Sequence, residues 1–406
     1  METGAAAPVF LWSMLSSMRF NKPEYAGGSI ANLMRTIADA CGAPSPTQEP
    51  LHPRYGIDAA QLATCRNIVL LVVDGLGADL LESHGTGTLR QQAGLRLTSV
   101  FPSTTASAIP LFMTGLVPAQ HALTGWHMWL DELQAVAAIL PLTPRIGPPF
   151  ATPREHLPEK LFDHAPLYPG LNRPASVISP QEIAFSPFNV YHTRGADVRG
   201  YASLGEMLAM LAAQVTSPGR KFIHAYWPTL DSVSHRYGAC SDEAIATLQR
   251  FCAGFDVMLR DIAGSDTRIF VTADHGFIDS PEDRIIELAD HPALAAMLDR
   301  PLCGEQRVAW CYVKPEAHAD FARCAKARLG ERVEVISRRQ LLDEHWLGPG
   351  PAHAKLASRI GDFALVMREN WSIKDWLPGE RRHFTLGVHG GISPQEMQVP
   401  LVAVAA

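Results

Sequence analysis

The sequence predicts an α/β fold in which a mostly parallel sheet is covered by helices on both faces. Continuous apolar runs such as Asn67–Val73 (NIVLLVV) have the pattern of strands that are buried on both faces. Helical patterns lie between these runs, and this alternation is typical of a parallel sheet. The chain has 406 residues, 47% of them hydrophobic, which is enough to bury one large core.

The elements can be assigned in chain order from these patterns. Strands are predicted at Asn67–Val73, Ala175–Ile178, Lys221–Trp227, Arg268–Thr272 and Val399–Val404. Helices are predicted at Ser203–Gln214, Asp242–Ile262 and Arg284–Leu298. The segment Leu130–Pro169 is rich in proline and is expected to form loops near a substrate pocket.

We predict three parts in the chain. Residues 1–60 form a leader with one helix that is N-capped by Ser29 and followed by the proline-rich segment 44–53. Residues 61–299 and 379–406 form the core. Residues 300–378 break the strand–helix rhythm and form a small inserted α+β lobe, with strands at Val308–Val313 and Val333–Ile336 around a helix at Ala317–Leu329.

Composition excludes several classes of protein. The net charge of -6 gives no reason to expect binding to a nucleic-acid polymer or an acidic membrane. Seven cysteines without CxxC spacing argue against a disulfide framework and favour a reducing compartment. The apolar stretch Pro8–Leu15 lacks the basic residues of a signal peptide, and no apolar run is long enough to span a membrane, so we expect a cytoplasmic protein.

Acidic and imidazole side chains follow the predicted strands. Asp74 closes the first strand, and Asp274 with His275 closes the strand that ends at Thr272. Sites in parallel sheets form outside the carboxyl ends of the strands, so these side chains are expected to meet. A carboxylate that merely caps the following helix is the structural alternative for Asp74.

Two further clusters fit the same chemistry. Asp231 and His235 are four residues apart, which places both on one face of a helical turn. His389 lies among glycines in Leu-Gly-Val-His-Gly-Gly, where the backbone can bring the imidazole close to a bulky group. Carboxylate oxygens and imidazole nitrogens are ligands for divalent metals. A capping aspartate and exposed histidines are the structural alternative.

The hydroxyl-rich segment Phe101–Pro110 (FPSTTASAIP) opens a predicted helix. The N-terminus of a helix favours negative charge, which suits both a phosphate and an alkoxide nucleophile. A plain helix cap is the structural alternative, and this segment taken alone favours it.

Together these motifs resemble the alkaline phosphatase superfamily, and most closely the type I phosphodiesterase/nucleotide pyrophosphatase family, over residues 66–295 and 383–403. The resemblance implies an alkaline-phosphatase-like three-layer α/β/α sandwich. In the family pattern the nucleophile lies three residues after the proline of a Phe-Pro pair and nine before the threonine of a Thr-Gly pair. Both counts give Thr105, with Thr104 as the alternate.

The same resemblance implies two divalent metal ions, with zinc as the usual metal and manganese as an alternative. One metal would be held by Asp231, His235 and His389. The other would be held by Asp74, Thr105, Asp274 and His275.

The implied activity is a two-metal hydrolysis of phosphodiester or pyrophosphate bonds in a small phosphorylated substrate, through a phospho-threonine intermediate. Where the nucleotide pyrophosphatases carry an asparagine, this chain has Ala108, which places a nucleotide substrate in question. A phosphomonoesterase of the same superfamily and a non-catalytic phospho-ligand-binding protein are the alternatives.

Overall fold

The computed structural model describes residues 21–43 and 48–406. Its strands are β1 Asn67–Val73, β2 Arg96–Thr98, β3 His127–Leu130, β4 Ala135–Ala138, β5 Thr143–Pro144, β6 Ala175–Pro180, β7 Ala196–Tyr201, β8 Lys221–Trp227, β9 Thr267–Thr272, β10 Ile278–Asp279, β11 Ile285–Glu287, β12 Cys303–Gly304, β13 Val308–Cys311, β14 Val333–Ser337, β15 Phe363–Met367, β16 Ser372–Lys374, β17 Gly387–Val388, β18 Gln398–Pro400 and β19 Val402–Ala405.

The helices alternate with these strands. They are α1 Ile30–Ala40, α2 Ala59–Thr64, α3 Ala78–His84, α4 Gly87–Gln91, α5 Thr105–Thr114, α6 Pro118–His121, α7 Leu157–Leu161, α8 Gln181–Ala184, α9 Pro187–His192, α10 Leu204–Thr216, α11 Thr229–Tyr237, α12 Asp242–Asp261, α13 Pro292–Ala295, α14 Phe321–Leu329, α15 Arg338–Asp343, α16 Leu356–Arg359 and α17 Pro394–Met397.

The central sheet has six strands in the order β19-β9-β1-β8-β6-β7. All its pairings are parallel except that of β19 with β9. Every residue of β1 is buried, as expected for a middle strand whose two faces are both covered. The predicted α/β class with a mostly parallel sheet is confirmed, as are the strands at β1, β6, β8 and β9.

The last predicted strand, Val399–Val404, is divided in the structure. Its first part, β18, pairs with β2, and its second part, β19, pairs with β9 at the edge of the central sheet. Pro400 has no N–H to donate to a ladder, so one continuous strand through this point is disfavoured. The prediction of a single strand was wrong.

The helix predicted at Arg284–Leu298 was also wrong. Ile285–Glu287 forms β11, which pairs in parallel with β16, nearly ninety residues later in the chain. Proline is best tolerated in the first turn of a helix, and the short α13 accordingly begins at Pro292. A pairing with a distant strand is invisible to local periodicity, which here favoured a helix.

A second sheet has seven antiparallel strands in the order β14-β15-β13-β12-β3-β4-β5. Strands β3 to β5 come from residues 127–144, most of which belong to the segment Leu130–Pro169 that the sequence predicts to form loops, and the others come from residues 303–367. The sheet therefore joins a segment assigned to the core with the segment assigned to the lobe. The domain boundaries at 300 and 378 stay a prediction.

The leader contributes its predicted helix, α1, to the main core. Ser29 is the N-cap, and its backbone N–H donates to Asn32 Oδ1 at 2.9 Å. Ile30, Leu33 and Met34 are fully buried. The signal-peptide-like stretch 8–15 and part of the proline-rich segment lie outside the described residues. No helix within residues 21–43 and 48–406 is long and apolar enough to cross a membrane.

Two buried histidines, His164 after α7 and His192 at the end of α9, contact each other. His164 and His192 approach to 2.9 Å between their Nε2 atoms, and the His192 ring lies 4.2 Å from the Phe188 ring. Burial lowers the pKa of His164 to about 4 and that of His192 to about 3. Both imidazoles are therefore neutral in the folded protein at neutral pH.

We expect these two buried histidines to make the folded protein less stable in acid. The unfolded chain takes up protons on each imidazole below about pH 6.5 while the folded protein does not, so folding weakens from there down to about pH 4. Each histidine contributes about 1.4 kcal/mol per pH unit in this range. We expect His192→Phe to flatten the slope by about that amount, measured as the free energy of urea unfolding at pH 7 and pH 5 in chelator.

The exposed His156 provides the control, since His156→Gln should leave the slope unchanged. An unchanged slope in His192→Phe would show that the buried pair does not govern the acid sensitivity.

Candidate metal and phosphoryl-transfer site

The site lies at the carboxyl edge of the central sheet. Strand β1 lies between β9 and β8, and all three run in the same direction. Asp74 follows β1 directly, and Asp274 follows β9. Helix α11 begins just after β8 and carries Asp231 and His235. Parallel strands end at the same edge of a sheet, so three neighbouring strand ends bring these side chains together.

Asp74, Asp274 and His275 form a closely packed group. The His275 Nε2 atom lies 3.4 Å from Asp74 Oδ1 and 3.4 Å from Asp274 Oδ2. Asp74 is 1% exposed, and the other two are fully buried. The other carboxylate oxygen of Asp274, Oδ1, accepts hydrogen bonds from the backbone N–H groups of Gly75 at 3.2 Å and of His275 at 3.0 Å. The carboxylate is thereby fixed while Oδ2 stays free.

A second group adjoins the first. Asp231 Oδ1 lies 3.4 Å from His235 Nε2 and 4.0 Å from His389 Nε2. The His389 ring stacks on the His275 ring, with 3.7 Å between centroids and an angle of 15° between planes. The structure thus brings together every side chain that the sequence motifs singled out, although they are up to 315 residues apart, from position 74 to position 389.

The ligand atoms fall into two sets of three that lie within 4.8 Å of one another. One set is Asp74, Asp274 and His275. The other is Asp231, His275 and His389, whereas the resemblance implies His235 with Asp231 and His389. His275 therefore lies at the junction of the two sets, and His235, with a side chain that is 30% exposed, lies at the outer edge.

The three imidazoles share one orientation. Each places its Nδ1 near a backbone carbonyl oxygen, namely His235 near Gly387 at 2.9 Å, His275 near Gly276 at 3.1 Å and His389 near Ser103 at 3.3 Å. A carbonyl oxygen only accepts hydrogen bonds, so Nδ1 carries the proton and Nε2 keeps its lone pair. All three Nε2 lone pairs then face the carboxylates, as in metal-binding histidines whose orientation is set by an outer hydrogen bond.

The carboxylates have oxygens without a hydrogen-bond donor. Asp74 Oδ1, Asp231 Oδ1 and Asp274 Oδ2 are buried, and none receives a hydrogen bond within the part of the chain that the structure describes. Burial, followed by the charges of Asp274 and Asp231, raises the pKa of Asp74 well above its usual value. Buried oxygens facing imidazole lone pairs are all acceptors, and divalent cations are the group that such a donor-poor cavity fits.

Thr105 is the first residue of α5, and its hydroxyl faces this group. Its Oγ1 lies 3.1 Å from His275 Nε2. The Thr104 hydroxyl instead donates to Glu305 Oε1 at 2.7 Å. The two candidate threonines therefore have different partners, and Thr105 is the one beside the carboxylates and imidazoles of the site. Ala108 is fully buried in the same helix and offers no side-chain donor.

Some residues of the site carry no signal in the sequence. The Tyr226 hydroxyl, on β8, donates to Asp74 Oδ2, and Ser99 Oγ donates to the carbonyl of Asp274. Both contacts join segments that are distant in the chain. A tyrosine in an apolar strand and a serine before a loop are ordinary residues, so only the fold identifies them.

A buried ion pair supports the His389 loop from behind. Arg307 donates to both carboxylate oxygens of Glu396, each at 2.9 Å, and the two side chains are 1% and 0% exposed. Glu396 Oε1 also accepts the Gly391 N–H at 2.8 Å, and the Glu396 carbonyl accepts the Gly276 N–H at 2.8 Å. One residue thus holds both the loop after His389 and the loop after His275.

A pocket of about 400 Å³ opens beside the site. At one end it is lined by Thr105, Asp231, His235 and His389. The remaining wall comes mainly from the second sheet and the segment that follows β16, and includes Trp126, His127, Arg145, Glu305, Lys374, Asp375, Trp376, Glu380 and His383. Its volume suits a small organic phosphate rather than a polymer.

Comparisons with known proteins agree with this geometry. The family described as type I phosphodiesterase / nucleotide pyrophosphatase matches residues 68–392. The fold is similar to murine ectonucleotide pyrophosphatase/phosphodiesterase 5 (18% identity, TM-score 0.62, covering 83% of this chain and 87% of that one). It is similar to the human protein of that name (17%, TM-score 0.61, the same coverage).

A further similar structure is phosphonoacetate hydrolase from Sinorhizobium meliloti 1021, at 16% identity and a TM-score of 0.63, covering 84% of this chain and 90% of that one. A search of curated proteins finds no match. The family match extends over most of the chain and includes every strand end that carries a ligand-type side chain. This chain belongs to the type I phosphodiesterase/nucleotide pyrophosphatase family and is a phosphoric ester hydrolase.

Proposed function

We propose that the protein hydrolyses phosphodiester or pyrophosphate bonds in a small phosphorylated substrate, with two divalent metal ions and Thr105 as the nucleophile. One observation carries the proposal most directly. The Thr105 hydroxyl lies 3.1 Å from His275 Nε2, beside buried carboxylate oxygens that lack hydrogen-bond donors. A hydroxyl surrounded by acceptors loses its proton readily once cations offset their charge.

The donor set fits two cations. Asp231, His235 and His389 would hold one, and Asp74, Thr105, Asp274 and His275 would hold the other. Nitrogen and carboxylate oxygen in a low coordination number suit Zn²⁺, and Mn²⁺ is compatible with the same ligands. When bound, such ions lower the pKa of the threonine hydroxyl and offset charge on the phosphoryl oxygens.

The chain's own residues account for the remaining chemistry. Thr105 Oγ1 gives its proton to the surrounding acceptors and attacks phosphorus, and the leaving group departs with the electron pair of the broken P–O bond. A water molecule then attacks the phospho-threonine, which releases the product and restores the hydroxyl. The position of Thr105 at the N-terminus of α5 favours the negative charge that develops there.

The substrate class follows from the pocket and the family. An inactive variant of the murine relative is described in complex with AMP, and the Sinorhizobium enzyme in complex with phosphonoacetate. Ala108 in place of the family asparagine removes one side-chain donor to a phosphate oxygen, which weakens the inference that this chain prefers nucleotides. We expect a compact phosphorylated metabolite and, from the cysteine content, a cytoplasmic site of action.

One prediction concerns the nucleophile. We expect Thr105→Ala to bind the same amount of metal as the wild type but to lose about 10³-fold or more in kcat on bis-p-nitrophenyl phosphate, because it removes the hydroxyl that would form the covalent intermediate. Release of p-nitrophenolate measures the rate. Thr104→Ala is the matched control and should lose less than about tenfold, since the Thr104 hydroxyl bonds Glu305.

If Thr104→Ala is the inactive variant and Thr105→Ala is not, the assignment of the two threonines must be reversed.

Another prediction concerns the metal ions. We expect about two metal ions per chain by elemental analysis, loss of activity in chelator, and recovery on addition of zinc. Asp231→Asn should bind less metal because it replaces a carboxylate oxygen with a weaker ligand. Asp283→Asn, at an exposed position, should retain the wild-type metal content. Full activity in metal-free protein would disprove the mechanism.

A further inference from the structure

We propose that the far wall of the pocket binds an anionic group of the substrate, a carboxylate or a phosphate, and that Lys374 recognises it. The substrate would then carry two separate charged parts, the phosphoryl group that reacts at Thr105 and a second anion some distance along the molecule. This inference rests on the proposed function, because it assigns a role to the other end of the same pocket.

Lys374 is the last residue of β16 and is 8% exposed. Its Nζ donates one hydrogen bond, to the carbonyl of His383 at 3.1 Å, and lies 4.4 Å from the centre of the Trp376 ring. Both of these neighbours also line the pocket. No carboxylate in residues 21–43 and 48–406 forms an ion pair with this ammonium group, which has three N–H donors and uses one.

The nearby carboxylates are already committed to another cation. Arg145 donates to Asp375 Oδ1 at 2.8 Å and to the two oxygens of Glu380 at 3.0 and 2.9 Å. Each of these carboxylates also accepts a backbone N–H, at 2.6 Å for Asp375 and 3.0 Å for Glu380. Arg145 is therefore committed to these two carboxylates, whereas Lys374 has no carboxylate partner among the described residues and has donors to spare.

A buried ammonium without an acceptor for its remaining donors is costly, and an incoming anion would relieve that cost. Burial lowers the pKa of Lys374 to about 8, so the side chain is still mainly charged at neutral pH. Hydrogen bonds between two charged partners are about twice as strong as neutral ones. The lysine is therefore suited to recognise an oxyanion that enters the pocket.

The placement of the two ends defines the substrate. Thr105, Asp231 and Lys374 line the same pocket of about 400 Å³, so one small molecule can contact all three. The indole of Trp126, 39% exposed, adds an apolar surface to the same pocket. A neutral or cationic second group would leave the lysine unpaired.

Four p-nitrophenyl phosphodiesters with the same leaving group test the inference. Their second ester group is methyl, 2-trimethylammonioethyl, 2-carboxyethyl or 2-phosphoethyl. We expect the wild-type metal-loaded enzyme to have a kcat/KM about 10- to 100-fold higher for the two anionic esters than for the methyl ester, the range expected for one charge-assisted hydrogen bond. The ratio of kcat/KM for the carboxyethyl ester to kcat/KM for the phosphoethyl ester shows whether the site prefers a carboxylate or a phosphate.

We expect Lys374→Gln to remove this preference by raising KM for the anionic esters, with the methyl ester changed by less than about twofold. Lys374→Arg should keep part of the preference, because it preserves the charge. Lys326→Gln, at an exposed lysine in the lobe, is the matched control and should behave as the wild type. Melting temperature and metal content show whether each variant is folded and loaded.

The outcomes separate the two proposals. Hydrolysis of the methyl ester without preference for the anionic esters, or an equal loss on all four esters in Lys374→Gln, overturns the role of Lys374 alone. Hydrolysis of none of the four rejects the proposed function. In that case calorimetric binding of methyl phosphate and 2-carboxyethyl phosphate still tests the anion site. If the wild type binds the two ligands with equal dissociation constants, the anion site is overturned. If it binds 2-carboxyethyl phosphate more tightly than methyl phosphate, and Lys374→Gln abolishes this difference, the anion site is supported.

Discussion

The mutual repulsion of buried hydrogen-bond acceptors is the constraint on which this structure depends. Three carboxylates and three imidazole lone pairs meet at one edge of the central sheet, and several of their oxygens have no donor among the described residues. Such a cluster would be unfavourable unless it held cations. The ligands lie at the ends of buried strands, on α11 and in the loop after β17, and this packed scaffold keeps them from moving apart to relieve the repulsion.

The backbone contributes as much to the site as the side chains. Carbonyl oxygens orient all three imidazoles, and N–H groups fix one oxygen of Asp274. Glycine is required where these loops cross. A Cβ atom on Gly276 would lie 2.1 Å from the carbonyl oxygen of Gln395, so only glycine allows the loop after His275 to pack against the turn before Glu396.

Sequence patterns predicted the parts of the molecule that depend on local order. Buried strands appear in the sequence as apolar runs, and the polar side chains at their ends indicate where the site lies. Two of the failures share one cause, which is pairing between distant segments, whereas the last predicted strand is divided at Pro400. Ile285–Glu287 looks helical until β16 is placed beside it, and residues 127–144 look like loop until they join strands from beyond residue 300. Tyr226 and Lys374 are equally unmarked, since their partners come from elsewhere in the chain.

The Arg307–Glu396 pair has a consequence for how such enzymes diversify. Arg307 belongs to the turn between β12 and β13 of the second sheet, whereas Glu396 supports the loops behind His389 and His275. The second sheet, which lines much of the pocket, is therefore joined by this ion pair to the loops that follow His275 and His389. If that sheet were replaced by one from a relative, the new sheet would need a guanidinium at the position of Arg307 to pair with Glu396. We therefore expect substrate specificity to change through side chains that face the cavity rather than through replacement of the sheet, which would disturb the ion pair behind the site.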